Sequence, residues 1–390
     1  MNTENKEEFN EIAEEVIRKS IKERISDFYR NCVSLFAKIG FSVFALSVLI
    51  LVISKFSPSF ADFFNRYISS SIRFVLSKIT GILPFSLGET IFLSIPLIFI
   101  SIVTLYFKYF SKDDIKATRF LVTLTTCLAL MFSCHSVSFG IAYNCSPLAQ
   151  RLGLEQKTVT PEELEYTAVA VRRELEKCTE DIYYKENGAS VMPYSYKELN
   201  AKLNQAYKKA CKKYEFIPDL KSNVKLLAVS PIMTYTHISG IYTYYTGEAN
   251  INFNYPDYTA PYTMAHEMAH QRGAAPEDEA NFVAFLVCME SNDIYIRYSA
   301  YLSMYEYLLS AYYEADAEGY NAHISKTDLT VRREMIAFSE FFSKYQNSGA
   351  SKVSNAINDT YLKASGEKAG AKSYGLVVDL ACAYYAKESQ

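Results

Sequence analysis

Residues 260–285 read APYTMAHEMAHQRGAAPEDEANFVAF. This stretch contains two of the five histidines of the chain, His266 and His270, with Glu267 between them. Residues i and i+4 lie on one face of a helix, so both imidazoles can reach one metal ion. The pattern HExxH therefore predicts a helix that carries a zinc site, with His266 and His270 as ligands.

Glu267 is the predicted catalytic residue of this site. It comes directly after the first histidine, which places its carboxylate at the flank of the metal. Zinc lowers the pKa of a bound water towards about 7, and a carboxylate beside it can take the proton. We therefore expect Glu267 to act as the general base.

A catalytic zinc site needs a third protein ligand and one open position. Gly273 permits a sharp reversal, and Pro276 begins a second helix whose first turn is acidic. We expect Glu277 to be the third ligand, and Glu279 remains the alternative. Acids in a first helical turn also complement the helix dipole without any metal. Asn281 favours Glu277, because it lies on the same helical face and can orient a ligand histidine.

Three apolar segments precede this region, at about 33–55, 90–107 and 120–144. About 20 apolar residues in a helix cross a bilayer core, so each segment is predicted to be a transmembrane helix. The segment between the first two is amphipathic and contains Pro84. It is predicted to lie on the membrane surface.

Lysine and arginine predict the orientation, since they concentrate on the cytoplasmic side. They cluster in the first 38 residues and in the loop between the second and third spans, at Lys6, Arg18, Lys19, Lys22, Arg24, Arg30, Lys38, Lys108, Lys112, Lys116 and Arg119. We therefore expect a multi-pass protein of the cell membrane with a cytoplasmic N-terminus. The chain after about residue 145 is then extracytoplasmic.

The predicted fold is mainly α. It comprises a cytosolic helix (1–32), a transmembrane region (33–145), a helical linker or subdomain (146–223) and an external α+β zincin-like domain with a small antiparallel sheet (224–390). Helix starts are expected at Thr160 and Ser195, each followed by glutamate at the third helical position. VKLLAVS (224–230) reads as a strand, and GIYTYYTGEANINFNY (240–255) as a strand, a turn and a strand.

HEMAH followed by EDEAN resembles the gluzincin pattern of zinc peptidases. That resemblance implies that His266 and His270 are ligands, Glu267 the base and Glu277 the third ligand. Gluzincins usually place many more residues between the two elements, which leaves the choice between Glu277 and Glu279 open. Residues 237–256, 260–286 and 358–385 are also similar to an uncharacterised bacterial family of membrane proteins with an external HExxH domain. The resemblance implies a membrane-bound zinc hydrolase.

The expected function is a membrane-anchored zinc metallopeptidase that hydrolyses peptide bonds on the extracytoplasmic side. Its expected partners are the lipid bilayer and a peptide or protein substrate. A net charge of −3 gives no indication of nucleic acid, and neither nucleic acid nor a nucleotide is expected. The alternative is a non-proteolytic membrane sensor or partner-binding module whose zinc site is structural or vestigial.

Two smaller predictions concern the substrate. GEANINF (247–253) is a candidate edge strand that binds a peptide by main-chain pairing, and an ordinary core strand is the other interpretation. Tyr262, His237, Tyr361 and Tyr374 are candidate oxyanion stabilisers, although tyrosines usually serve in packing.

Overall fold

The computed structural model describes residues 20–155, 158–346, 349–365 and 376–388. The chain forms two compact units, one of Met1–Ile50 with Ile91–Ser136 and one of Leu51–Thr90 with Val137–Gln390. Within the predicted cytosolic helix (1–32), residues 20–32 are helical and form α1, and the first 19 residues lie outside the described part of the chain.

Three helices are long and apolar enough to span a membrane, with mean hydropathies of 2.4, 2.3 and 1.7. They are α2 (Leu35–Phe56), α5 (Leu87–Leu105, continued by a π-helical turn at Tyr106–Phe110) and α6 (Asp114–Ser138). The third span was expected at 120–144, but α6 begins and ends earlier, because residues Gly140–Asn144 form a separate 3₁₀ turn. The chain therefore has the features of a membrane protein.

Small residues join α2 to α6 inside the first unit. A Cβ on Gly40 would overlap the Thr126 side chain, and Ser47 Oγ lies 3.0 Å from Ser133 Oγ. Small and hydroxyl side chains let two membrane helices approach closely and bond across their interface.

The second unit begins with α3 (Pro58–Phe63), a π-helical turn (Phe64–Ser69) and α4 (Ser70–Thr80). After Val137 it contains eleven further α-helices among the described residues: α7 (Leu148–Leu152), α8 (Pro161–Thr179), α9 (Tyr196–Lys213), α10 (Ser230–Met233), α11 (Thr259–Gln271), α12 (Glu277–Met289), α13 (Ile294–Ala315), α14 (Ala317–Ser325), α15 (Leu329–Ser343), α16 (Gly349–Ser365) and α17 (Val377–Glu388). Helices α8 and α9 both begin with the predicted capping boxes, Thr160 with Glu163 and Ser195 with Glu198.

The sheet has three strands, β1 (Lys225–Leu226), β2 (Gly240–Thr243) and β3 (Glu248–Ile251), in the order β1-β3-β2. The predicted hairpin is present as the antiparallel pair β2–β3, but β1 pairs with β3 in parallel, so the sheet is mixed rather than antiparallel. The predicted first strand is also shorter. Its amides at Ala228 and Val229 donate to the Glu89 carboxylate at 3.1 and 2.8 Å, which turns the chain into α10.

One hydrophobic core runs through α8, α9, α11, α12, α13 and α17. The segments 146–223 and 224–390 both contribute to it, with Leu175 and Leu203 from the first and Met268 and Phe285 from the second. Buried tyrosines pack here with their hydroxyls bonded, as Tyr207 OH donates to Ala265 O at 2.6 Å. Because α11 is packed from several sides, its geometry is set by the whole unit.

Candidate metal centre

A glycine-based cap ends α11 and reverses the chain. Gly273 has φ +96°, which glycine tolerates and other residues rarely adopt. Its amide donates to His270 O at 2.9 Å, and the next amide, of Ala274, donates to Ala269 O at 3.1 Å. These two bonds are the Schellman arrangement. Pro276 then precedes α12, so the second helix starts close to the end of the first.

The reversal brings together the three predicted ligands. His266 Nε2 lies 3.2 Å and His270 Nε2 lies 3.5 Å from Glu277 Oε2. One potential ligand atom from each of the three residues falls within 4.8 Å of the other two. Tetrahedral zinc with ligands at about 2.0–2.1 Å separates neighbouring ligand atoms by about 3.3–3.4 Å. The donor set of two imidazoles and one carboxylate therefore fits zinc in both chemistry and spacing.

The surroundings orient His270 in the way a ligand requires. Its Nδ1 lies 2.6 Å from Ala274 O, which can only accept, so the neutral ring keeps its proton on Nδ1 and can present the lone pair of Nε2 to a metal. Asn281 lines the same cavity as His266, but among the described residues His266 Nδ1 makes no hydrogen bond of normal geometry. The orienting role of Asn281 stays a prediction.

Glu279 faces away from the histidines. Its two carboxylate oxygens accept from Leu148 N at 2.7 Å and from Arg151 Nη2 at 2.5 Å. The acid that the sequence offered as the alternative ligand thus pairs with α7, and Glu277 is the one whose carboxylate reaches both histidines.

Glu267 is buried beside this cluster, and its Oε2 has no hydrogen-bond partner among the described residues. Its neighbour is Gly240 of β2, where an added Cβ would lie 2.5 Å from Glu267 Oε1. A side chain at position 240 would therefore displace the carboxylate. Burial raises the pKa of Glu267 to about 8, because it disfavours the charged form.

The three cluster residues have shifted pKa values in the metal-free chain. Burial opposes ionisation of Glu277, yet the two histidines hold the pKa of its carboxyl well below the usual range. Burial also acts against charge on His270, but Glu277 outweighs it and raises the pKa to about 9. Burial lowers the pKa of His266, and the charge of His270 adds to that effect. Shifts of this size in one cleft are typical of functional sites.

The cluster opens into a cavity of about 680 Å³. Its walls are mainly aromatic and amide side chains, and they include Phe139, Tyr143, Tyr242, Tyr244, Tyr307, Asn355 and Asn358. Of the two interpretations of 247–253, the edge strand is wrong and the ordinary core strand is confirmed, since β3 lies between β1 and β2. The two edge strands are β1 and β2, and residues 240–242 of β2 line the cavity.

The candidate oxyanion stabilisers have different places. Tyr361 and His237 line the cavity. Tyr262 also lines it, but its hydroxyl donates to Asn281 O at 2.9 Å. Tyr374 lies outside the described residues.

A buried arginine of another helix, α4, stabilises the chain reversal between α11 and α12. Arg73 of α4 has no exposed surface, and its guanidinium donates to Gln271 O at 3.2 Å and to Ser138 O at 2.6 Å. Both carbonyls lie at helix C-termini, where acceptors are unpaired and a cation is favoured. Asn65 accepts from Arg73 at 2.8 Å and donates to Gly273 O at 3.2 Å. These two side chains therefore hold the backbone that returns Glu277 to the histidines.

A sequence model described as "protein of unknown function (DUF3810)" matches residues 60–382. The chain belongs to the DUF3810 family. The predicted membership in an uncharacterised family is confirmed, and the DUF3810 region includes both the HEMAH helix and α4 with Arg73. No curated protein and no solved structure matches the chain.

The sequence motifs did not point to Arg73 and Asn65 as residues that support the candidate metal centre. A signal was present, because a polar residue recurs about every four positions along this segment, at Asn65, Ser69, Arg73, Ser77 and Thr80. That spacing marks one face of a helix, but it does not say what the face contacts.

Gly273→Ala is expected to lower the stability of the second unit and to weaken metal binding. The added methyl would meet the Arg73 guanidinium and lie 2.7 Å from Asn65 Oδ1, in a conformation that costs alanine about 1–3 kcal/mol. Thermal unfolding and zinc titration measure the two effects. Gly349→Ala is the control, since nothing lies within 4 Å of the added Cβ. Equal behaviour of the two variants would contradict the assigned role of Gly273.

Proposed function

We propose that this protein is a membrane-anchored zinc metallopeptidase with His266, His270 and Glu277 as metal ligands and Glu267 as general base. The observation that carries the proposal is the joint placement of two imidazoles and one carboxylate at ligand spacing, with a second, buried carboxylate in the same cavity. A structural zinc site needs four closed ligands, whereas three protein ligands beside a cavity are typical of catalysis.

In this proposal the metal and the side chains of the site have separate roles. Bound zinc supplies Lewis acidity that polarises a carbonyl oxygen and acidifies water. Glu267 takes the proton of the attacking water and returns it to the leaving amine, so the carboxylate is regenerated in each turnover. The Nδ1 bond of His270 keeps that imidazole in the ligating tautomer.

The position of β2 at an edge of the sheet and beside the metal centre supports a peptide as the substrate. Residues 240–242 line the cavity, and within the described part of the chain β3 is the strand that pairs with β2. An extended peptide can add to such an edge by main-chain hydrogen bonds. We further propose that the three apolar helices span the cell membrane with the N-terminus in the cytoplasm and the metal centre outside, as the lysine and arginine distribution favours.

The test uses the full-length chain in lipid nanodiscs. We expect about one zinc per chain by elemental analysis, and cleavage of an unbiased library of internally quenched peptides. A chelator should remove both, and stoichiometric zinc should restore both. His266→Ala should bind no zinc, whereas His323→Gln should keep it, because His323 is buried elsewhere against Tyr305. Absence of zinc would contradict the metal site, and zinc without cleavage would favour the sensor or partner-binding alternative.

Gly240→Ala is expected to lower peptide cleavage without loss of zinc. The new Cβ would lie 2.5 Å from Glu267 Oε1 and 2.7 Å from its Cγ, so the base must move. A displacement of about 1 Å can cost about 100-fold in rate. Parallel measurement of kcat/KM and zinc content separates the effect on the base from an effect on the ligands. Unchanged kcat/KM would show that Glu267 is not held by this contact.

A further inference from the structure

In the segment between the first two candidate spans, polar side chains are buried and large apolar side chains are exposed. Five polar side chains that recur along one face of the π-helical turn and α4 are buried: Asn65, Ser69, Arg73, Ser77 and Thr80. All of them bond to backbone or to one another within the second unit. Thr80 Oγ1, for example, donates to Thr246 O at 3.1 Å. The polar face of this segment is therefore packed against protein.

The opposite face is apolar and exposed. It carries large side chains at helical spacing, namely Phe63, Tyr67, Phe74, Val75, Ile79 and Ile82. Ile79 is 62% and Ile82 is 83% exposed. We call this set the apolar stripe. A water-soluble helix shows the reverse pattern, with its apolar side inward.

Lipid is the occupant that the surroundings of this stripe favour. The segment is continuous with α2, which ends at Phe56, and with α5, which begins at Leu87, and both helices can span a membrane. Each end of the segment must therefore lie near the bilayer surface if those helices span it. The exposed charges within it, Arg66 and Lys78, are both positive, which suits anionic headgroups.

We infer that α4 and the π-helical turn before it lie in the bilayer interface, with the apolar stripe against acyl chains, while Arg73 of α4 and Asn65 of the turn, on the other face, hold the reversal of the metal centre. An α-helix is about 10–12 Å wide, so this places the metal centre about one helix width from lipid. Where the proposed peptidase function holds, the preferred substrates are then peptide segments that emerge from the membrane or lie along it. This last step rests on the proposed function, whereas the lipid contact does not.

The chain contains no tryptophan, so one introduced tryptophan reports its own surroundings. Ile79→Trp in the full-length protein is reconstituted into phosphatidylcholine–phosphatidylglycerol vesicles, with or without bromine on the acyl chains. Tyr183→Trp is the matched control, because Tyr183 is 74% exposed among the charged residues of 180–186. We expect brominated lipid to quench Ile79→Trp and aqueous iodide to leave it unchanged, with the opposite result for Tyr183→Trp.

Two outcomes would overturn the inference. Quenching of Ile79→Trp by iodide would show that the stripe faces water. Protection from both quenchers would show that protein covers it. Neither quenching measurement depends on peptide hydrolysis. The lipid contact can therefore be contradicted while the peptidase function is supported, and the peptidase function can be contradicted while the lipid contact is supported.

The support given by α4 is tested in the same vesicles with Arg73→Lys, which keeps the charge but loses the planar donors. We expect weaker zinc binding with unchanged quenching of Ile79→Trp. Zinc affinity equal to that of the wild type would overturn the positioning role of Arg73.

Discussion

Glu267→Gln is expected to lower kcat/KM for peptide cleavage by about 100- to 10,000-fold, the range for loss of a general acid–base group. Zinc content should remain about one per chain, because the ligand atoms belong to other residues. The amide has nearly the same shape as the carboxylate and cannot take a proton from water. It also removes a buried group that resists ionisation, so the unfolding temperature should hold or rise.

Measuring both kcat/KM and zinc content distinguishes loss of the general base from loss of a metal ligand. A variant that lost zinc as well would point to a ligand or to misfolding. Cleavage at the wild-type rate with zinc bound would contradict the mechanism and would require another base. The neighbouring Gly240→Ala variant should show the same separation of rate from zinc content, with a smaller loss, because it displaces the carboxylate without removing it.

Glu277→Gln is expected to weaken zinc binding by more than about 100-fold, since even partners of the ligands are typically worth 10–100-fold. The neutral amide loses the charge that faces both histidines at 3.2 and 3.5 Å. Competition with a fluorescent zinc chelator measures the affinity. Hydrolysis should fall with it and return in part at high zinc concentration.

Glu279→Gln is the matched control, two residues along the same helix. Its carboxylate bonds to Leu148 N and Arg151, so the substitution should lower stability and leave zinc affinity unchanged. The reverse result, with zinc lost from Glu279→Gln and kept by Glu277→Gln, would contradict the assignment of the third ligand.

The local sequence determined much of the fold. Three runs of apolar residues predicted three helices that can span a membrane, and helix starts at Thr160 and Ser195 followed from capping residues at fixed spacing. The reversal at Gly273 was predictable for the same reason. A positive φ favours glycine, and the bonds of the cap join residues only a few positions apart.

The sheet was less predictable. The hairpin β2–β3 pairs neighbours in sequence, whereas β1 reaches β3 across a long connection, so its parallel direction is not encoded in local spacing. The edge position of β2 likewise depends on where β1 docks.

The spacing in the sequence places His266 and His270 on one helix face, because helical periodicity is a local property. The same spacing left the choice between Glu277 and Glu279 open, since both follow the same turn and the difference lies in which one meets Arg151 of a distant helix. The support of the site by α4 could be seen only in the folded chain. Arg73 and Gln271 are bonded although they are 198 positions apart in sequence, and contacts at that range arise from packing of the whole unit.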